Sequence, residues 1–202
     1  MSLITAPSSF LSILTDSDVW LERRDFETRS LFTKKRQVLS YPSASCWMVS
    51  VSFAPRTDTE AGEWRKFKMA LRGRENWFQC PMPQYFGPAT GYSGAIKVDG
   101  ASQTGFALNL KGMTPSAAIF EAGDIFTVVD QCFVVSADLT ADGSGEGQVT
   151  FDAPLRTSPA DDADLEIAAP YFLCASTDSN TARWRGLPGR RSAFTFEGAE
   201  HF

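Results

Sequence analysis

Between residues 46 and 53 the chain alternates with a period of two. Trp47, Val49, Val51 and Phe53 fall on one face; Cys46, Met48, Ser50 and Ser52 fall on the other. That period belongs to a strand with one strongly apolar side. Pro55, which has no amide hydrogen to give a ladder, ends it. The spacing then changes to three and four: Ala61, Trp64, Phe67, Ala70 and Leu71 predict an amphipathic helix, with Asp58 or Thr59 as its cap. Glu60 and Glu63 near its start and Lys66, Lys68 and Arg72 toward its end suit the helix dipole. Gly73 follows as a residue able to close it in the left-handed conformation. Trp64, Phe67 and Leu71 need an apolar surface to cover, and the 47–53 face supplies one. The first unit predicted is therefore a sheet with one helix lying on it.

Elsewhere the pattern is one of strands. A strand is predicted near 19–21 with an arm before it. Residues 29–41 read as a strand with a turn, forming a hairpin with 47–53 through Pro42-Ser43-Ala44. The run Lys34-Lys35-Arg36 reads as the solvated protection of an edge rather than as an anion site. Residues 76–80 form a short apolar strand that leads into a stretch dense in proline and glycine, 81–94, which predicts irregular connection. Five strand signals follow: 94–99, the alternating Phe106, Leu108 and Leu110, 125–129, 132–135 and 148–151, the last after an Asp142-Gly143-Ser144-Gly145 turn. Five short strands in about 75 residues without a helix suit a small barrel of the OB type. Residues 165–167, 171–175, 181–185 and 192–197 read as strands again, the last two joined across Gly186-Leu187-Pro188-Gly189.

Charge sharpens this into a domain division. Residues 86–163 carry three basic and ten acidic residues, hence −7; the rest carries sixteen and fourteen, hence +2, and the whole chain −5. All five tryptophans lie outside the acidic block. The predicted fold is mainly β: a β-sandwich domain with one α-helix packed on it, made from 1–85 plus 164–202, interrupted by an inserted OB-like small β-barrel at 86–163. A hydrophobic content of 43% excludes wholesale disorder. The negative balance argues against nucleic-acid recognition, which needs clustered positive charge. No apolar run reaches the ~20 residues of a membrane span, and the N-terminus lacks the basic start of a signal peptide. A soluble protein with no membrane insertion is expected.

Candidate chemistry is sparse. Cys46, Cys80, Cys132 and Cys174 form no C-x-x-C pair; three of them stand in apolar strand-like runs and read as buried thiols, and a reducing compartment is the simplest assumption. The single histidine, His201, stands where chains fray. Gly143-Ser144-Gly145-Glu146-Gly147 resembles a phosphate loop in its glycines, but no Lys-Ser/Thr follows. Asp138 and Asp142 lack the ligand ladder of a calcium loop, and Asp161-Asp162 lie in a Pro/Ala/Asp linker. No nucleophile elbow or metalloprotease signature is present. Neither metal nor cofactor is expected, and the chain does not read as an enzyme. Tyr85, Phe86 and Tyr92 are candidate glycan contacts of a carbohydrate-binding module.

The order of several segments resembles a family of distal tail proteins from long-tailed, siphovirus-type bacteriophages. The matching pieces are the strand at 47–53, Leu71-Arg72-Gly73 at a helix end, Gln103-Thr104-Gly105, Ala122-Gly123-Asp124 and Pro154-Leu155-Arg156, within residues 30–175. The resemblance implies a hexameric ring in the virion, at the distal end of the tail. Such a ring connects the tail tube protein to other tail-tip and baseplate proteins and to the receptor-binding apparatus, after assembly in the host cytoplasm. Its alternative is host-surface glycan adhesion through the OB-like domain.

Overall fold

The computed structural model describes residues 1–54, 57–83, 85–178, 185–187 and 190–202, the side chains of 185–187 and 190–193 excepted. The protein is mainly β, 44% strand and 9% helical, with one α-helix among the described residues. In chain order the strands are β1 Leu3–Ile4, β2 Leu14–Glu22, β3 Asp25–Arg29, β4 Arg36–Ser40, β5 Cys46–Phe53, β6 Trp77–Pro81, β7 Lys97–Val98 and β8 Gly105–Lys111. They continue as β9 Ala118–Phe120, β10 Ile125–Val128, β11 Gln131–Val134, β12 Leu139–Thr140, β13 Gly147–Leu155, β14 Tyr171–Ser176, β15 Arg185–Leu187 and β16 Arg190–Glu200; helix α1 is Asp58–Leu71.

Two compact units result. The first holds Met1–Trp20, Trp47–Tyr85 and Ala169–Phe202; the second holds Leu21–Cys46 and Phe86–Ala168. All five tryptophans fall within the first unit's spans. Two pieces expected in the first unit belong to the second. Residues 164–168 do so because Leu165 and Ile167 bury in its core and Asp164 and Glu166 bridge to Lys97 and Thr127. Residues 21–46 do so because Arg23 pairs with Asp152 and the Arg156 guanidinium donates to the Ser45 carbonyl at 2.5 Å.

In the first unit one sheet runs β1-β6-β14-β16-β5-β2, with β15 on β16. The alternation of β5 buries Trp47, Val49, Val51 and Phe53 as expected, and β16 lies antiparallel beside it with Phe194 opposite Phe53 and Phe196 opposite Val51. Helix α1 buries Ala61, Trp64, Phe67 and Leu71. Its cap is Thr57 rather than Asp58 or Thr59: the Thr57 hydroxyl accepts from the Glu60 amide at 3.1 Å, and the Glu60 carboxylate accepts from the Thr57 amide at 3.0 Å. Arg72 and Gly73 close the helix with positive φ, 49° and 73°. The core between helix and sheet is aromatic. Trp64 lies 3.9 Å from Phe53 between ring centroids, and Phe10, from the turn before β2, packs on Phe53, Trp64 and Phe78 at 5.1 to 5.8 Å.

The hairpin expected between the basic strand and β5 does not form. Pro42–Ala44 is a single 3₁₀ turn, β4 folds back on β3, and β5 is flanked by β16 and β2. Pro55, Trp184, most of the strand expected at 181–185 and the Pro188-Gly189 turn lie outside the described residues.

The second unit contains the five strands expected of it, as β7, β8, β10, β11 and β13, together with the short β9 and β12. They form a three-stranded sheet β13-β8-β7 and the pairs β10-β11 and β12-β9, and none of these closes into a barrel among the described residues. Phe120, Phe126, Phe133 and Phe151 stack in its core with Leu108, Leu110 and Val149.

Candidate assembly surface

Strands β3 and β4 form a two-stranded hairpin in which every residue is exposed. Their register sets Phe26 opposite Leu39 and Thr28 opposite Gln37 on one face, Glu27 opposite Val38 and Arg29 opposite Arg36 on the other. Two guanidiniums facing each other repel. Glu27 offsets this by taking both, Arg29 Nε at 3.2 Å and Arg36 Nε at 3.2 Å. The turn is closed by Lys34 N–H to Ser30 O and Ser30 N–H to Lys35 O, both at 3.0 Å, with Lys34 at φ 57°. This tight loop thrusts Leu31 and Phe32 outward, and Phe32 is 96% exposed.

The root is held firmly. Arg24 O accepts from Tyr41 N–H at 3.0 Å, and Arg23 and Arg156 make the contacts given above. Arg156 is itself positioned by Gln131, whose Oε1 accepts from the Arg156 and Thr157 amides at 2.8 and 3.1 Å. The arrangement is a hairpin fixed at one end, with Phe26 and Leu39 exposed on one face near that root and Leu31, Phe32 and Lys34-Lys35 presented at the tip. A two-stranded hairpin without a covered face is marginal in water, and the exposed Phe26, Leu31, Phe32, Val38 and Leu39 grouped on it make it a candidate interaction surface.

The predicted glycan contacts are dispersed in role. Phe86 is 94% exposed. Tyr92 is half-buried against the second unit's core, its hydroxyl accepting from the Thr114 amide at 3.1 Å. Tyr85 is the last residue of a first-unit segment and is half-buried. His201 is not frayed: its amide donates to Leu173 O at 2.8 Å and its ring stacks on Trp77 at 4.4 Å. All four cysteines are buried, and burial, with Cys80 and Glu200 nearby, pushes the Cys174 thiol well above its ordinary value. Such a thiol is a poor nucleophile.

The glycine loop is a turn filled by its own carboxylate. Asp142 Oδ1 accepts from the Ser144 and Glu146 amides at 2.7 and 2.9 Å, occupying donors an anion would need, and those bonds hold its carboxyl below the usual range. Asp161 and Asp162 pair with Lys111 Nζ at 2.7 and 3.1 Å. Among the described residues no three potential metal ligands cluster, and no helix is long and apolar enough to cross a membrane.

The segments that carried the resemblance each have a local task. Gln103 Nε2 donates to the Asp99 and Gly100 carbonyls while its Oε1 accepts from Asn109 N–H at 2.7 Å, tying the β7–β8 loop. Asp124 caps the Ala89 and Glu121 amides at 2.9 and 2.8 Å. Leu71-Arg72-Gly73 ends the helix, and Arg156 anchors the hairpin root. The chain matches no protein-family model and no curated protein.

Proposed function

We propose that the protein is a structural component of a phage tail tip: a baseplate ring protein that connects the tail tube to the tail-tip and receptor-binding apparatus. On this reading the first unit is a β-sandwich, the second an OB-like module, and the partners are five further copies and the neighbouring tail proteins in the virion. The observation that carries it is the hairpin β3–β4, which is anchored at its root, exposed on both faces and tipped with Leu31 and Phe32. A chain without a partner gains little from holding such an element out. A ring of copies covers it, because a head-to-tail contact that closes after a fixed rotation uses two different surfaces of each subunit.

Light scattering after size exclusion, with negative-stain imaging of the product, tests this. Self-association that rises with concentration and yields six-fold rings is expected. Leu31→Ala with Phe32→Ala should weaken it by about tenfold or more, since buried aromatic anchors dominate interfaces. A chain that remains monomeric at all concentrations argues against a ring that forms by itself.

The exposed ring of Phe86 favours a second reading, host-surface glycan binding by the OB-like module. Glycan-array binding lost in Phe86→Ala would support it.

A further inference from the structure

Two unpaired strand edges of opposite charge stand in this chain. The first is β2, which pairs with β5 on one side; among the described residues no strand lies on its other side. Nine residues is long for an exposed edge, which is a hazard unless it is protected. Its protection is acidic: Asp16, Asp18 and Glu22 with no basic residue. Asp16, Asp18 and Trp20 are exposed on one face, while Ser17, Val19 and Leu21 are partly buried on the other. Two copies of this edge repel, so β2 does not pair with itself across a two-fold axis.

The second edge is β4, which among the described residues pairs with β3 alone. The hairpin from 25 to 40 carries four basic and two acidic residues. Glu27 takes Arg29 and Arg36, which leaves the surplus positive charge at Lys34 and Lys35. The two strands also match face to face. Setting Arg36 and Val38 on the side of Asp16, Asp18 and Trp20 sets Leu39 beside Val19 and Leu21. The flipped arrangement would press Arg36 against partly buried apolar side chains and leave Leu39 among carboxylates.

We propose that β4 of one copy adds to the β2 edge of the next, extending that copy's sheet by strand addition. Main-chain hydrogen bonds supply the affinity, and the lysine–aspartate pairing selects edge and direction. Each copy offers one donor strand and one acceptor edge, so the contact is heterologous and propagates until it closes. The inference rests on the ring-forming reading above and names the surface that receives the hairpin.

Charge reversal tests it, with light scattering over a concentration series as the readout. Asp16→Lys with Asp18→Lys, and Lys34→Glu with Lys35→Glu, should each weaken self-association at least tenfold, and all four together should restore most of it. The four side chains are exposed, and an unchanged thermal midpoint verifies folding. As a second measurement, Trp20→Cys protein mixed with Val38→Cys protein should give a cross-linked pair with a bismaleimide, and neither alone should. Association undiminished by Asp16→Lys with Asp18→Lys overturns the edge assignment while leaving the ring reading standing. A natural chain that is monomeric at every concentration overturns the strand addition and, with it, a ring that forms by itself.

Discussion

The ammonium of Lys68 is buried where α1 meets the sheet, its Nζ donating to Thr195 O at 3.1 Å and lying 5.8 Å from the centre of the Phe194 ring. Burial holds this amine below its ordinary 10.5, and Asp178 offsets part of the effect. In the unfolded chain the amine keeps its proton to a higher pH than in the folded one. Stability from this group is therefore lowest when both states are protonated, rises as pH climbs through the depressed range, and levels off above 10.5. Because other groups titrate there too, the measurement is a difference: the natural protein should gain stability relative to Lys68→Met as pH rises from neutral to above 10.5. A difference that stays flat rejects the assignment. By its chemical type Lys68 was expected to serve the helix dipole and was not counted in the apolar stripe, although it stands four positions after Trp64 and next to Phe67, where that stripe passes. Type and position disagreed, and position prevailed because the long stem reaches a carbonyl.

At the scale of elements, legibility followed burial. Strand β5 and helix α1 each cover one face, so their periods of two and of three to four were readable. The hairpin β3–β4 covers neither face, so no period marked its first strand, and β4 was paired with the wrong neighbour. Strands of two or three residues, such as β9 and β12, are too short to show a period at all. Phe10 escaped because it reaches the core from an irregular turn. The cap was different, since Thr57 and Glu60 spell a capping box that the sequence displays. Thr57→Ala should cost about 1 kcal/mol, read as a lower denaturant midpoint at unchanged slope; a loss under about 0.3 kcal/mol would mean that the sheet alone holds the helix start in place. The candidate assembly surface was the least legible feature, because its strands are exposed on both faces and carry no periodic apolar pattern.

The whole molecule carries two separate apolar cores, one built on Phe53, Trp64 and Phe78 and one on Phe126, Phe133 and Phe151. Their charges differ as well: the first unit's spans hold ten basic and nine acidic residues, the second's nine and fifteen, hence +1 and −6. Every tryptophan falls within the first unit's spans, and Trp47 and Trp64 are buried there, so their fluorescence reports that core, whereas circular dichroism sees the strands of both. Phe151 lies 4.5 Å from Phe133 and 5.9 Å from Phe126 between centroids and is 2% exposed. Truncating such a ring costs about 3–5 kcal/mol, because the surroundings do not collapse into the space left behind. Phe151→Ala should therefore lower the unfolding midpoint of the second core, seen by circular dichroism, by several degrees or more, while the tryptophan transition stays near its natural value. If the two cores fold as one cooperative body, both signals move together by the same amount, and the division that the charge and tryptophan pattern announced would describe composition without describing stability. Separate transitions would mean that each core is stable by itself, which a subunit needs if one part is locked by its neighbours while the other stays available to a further partner.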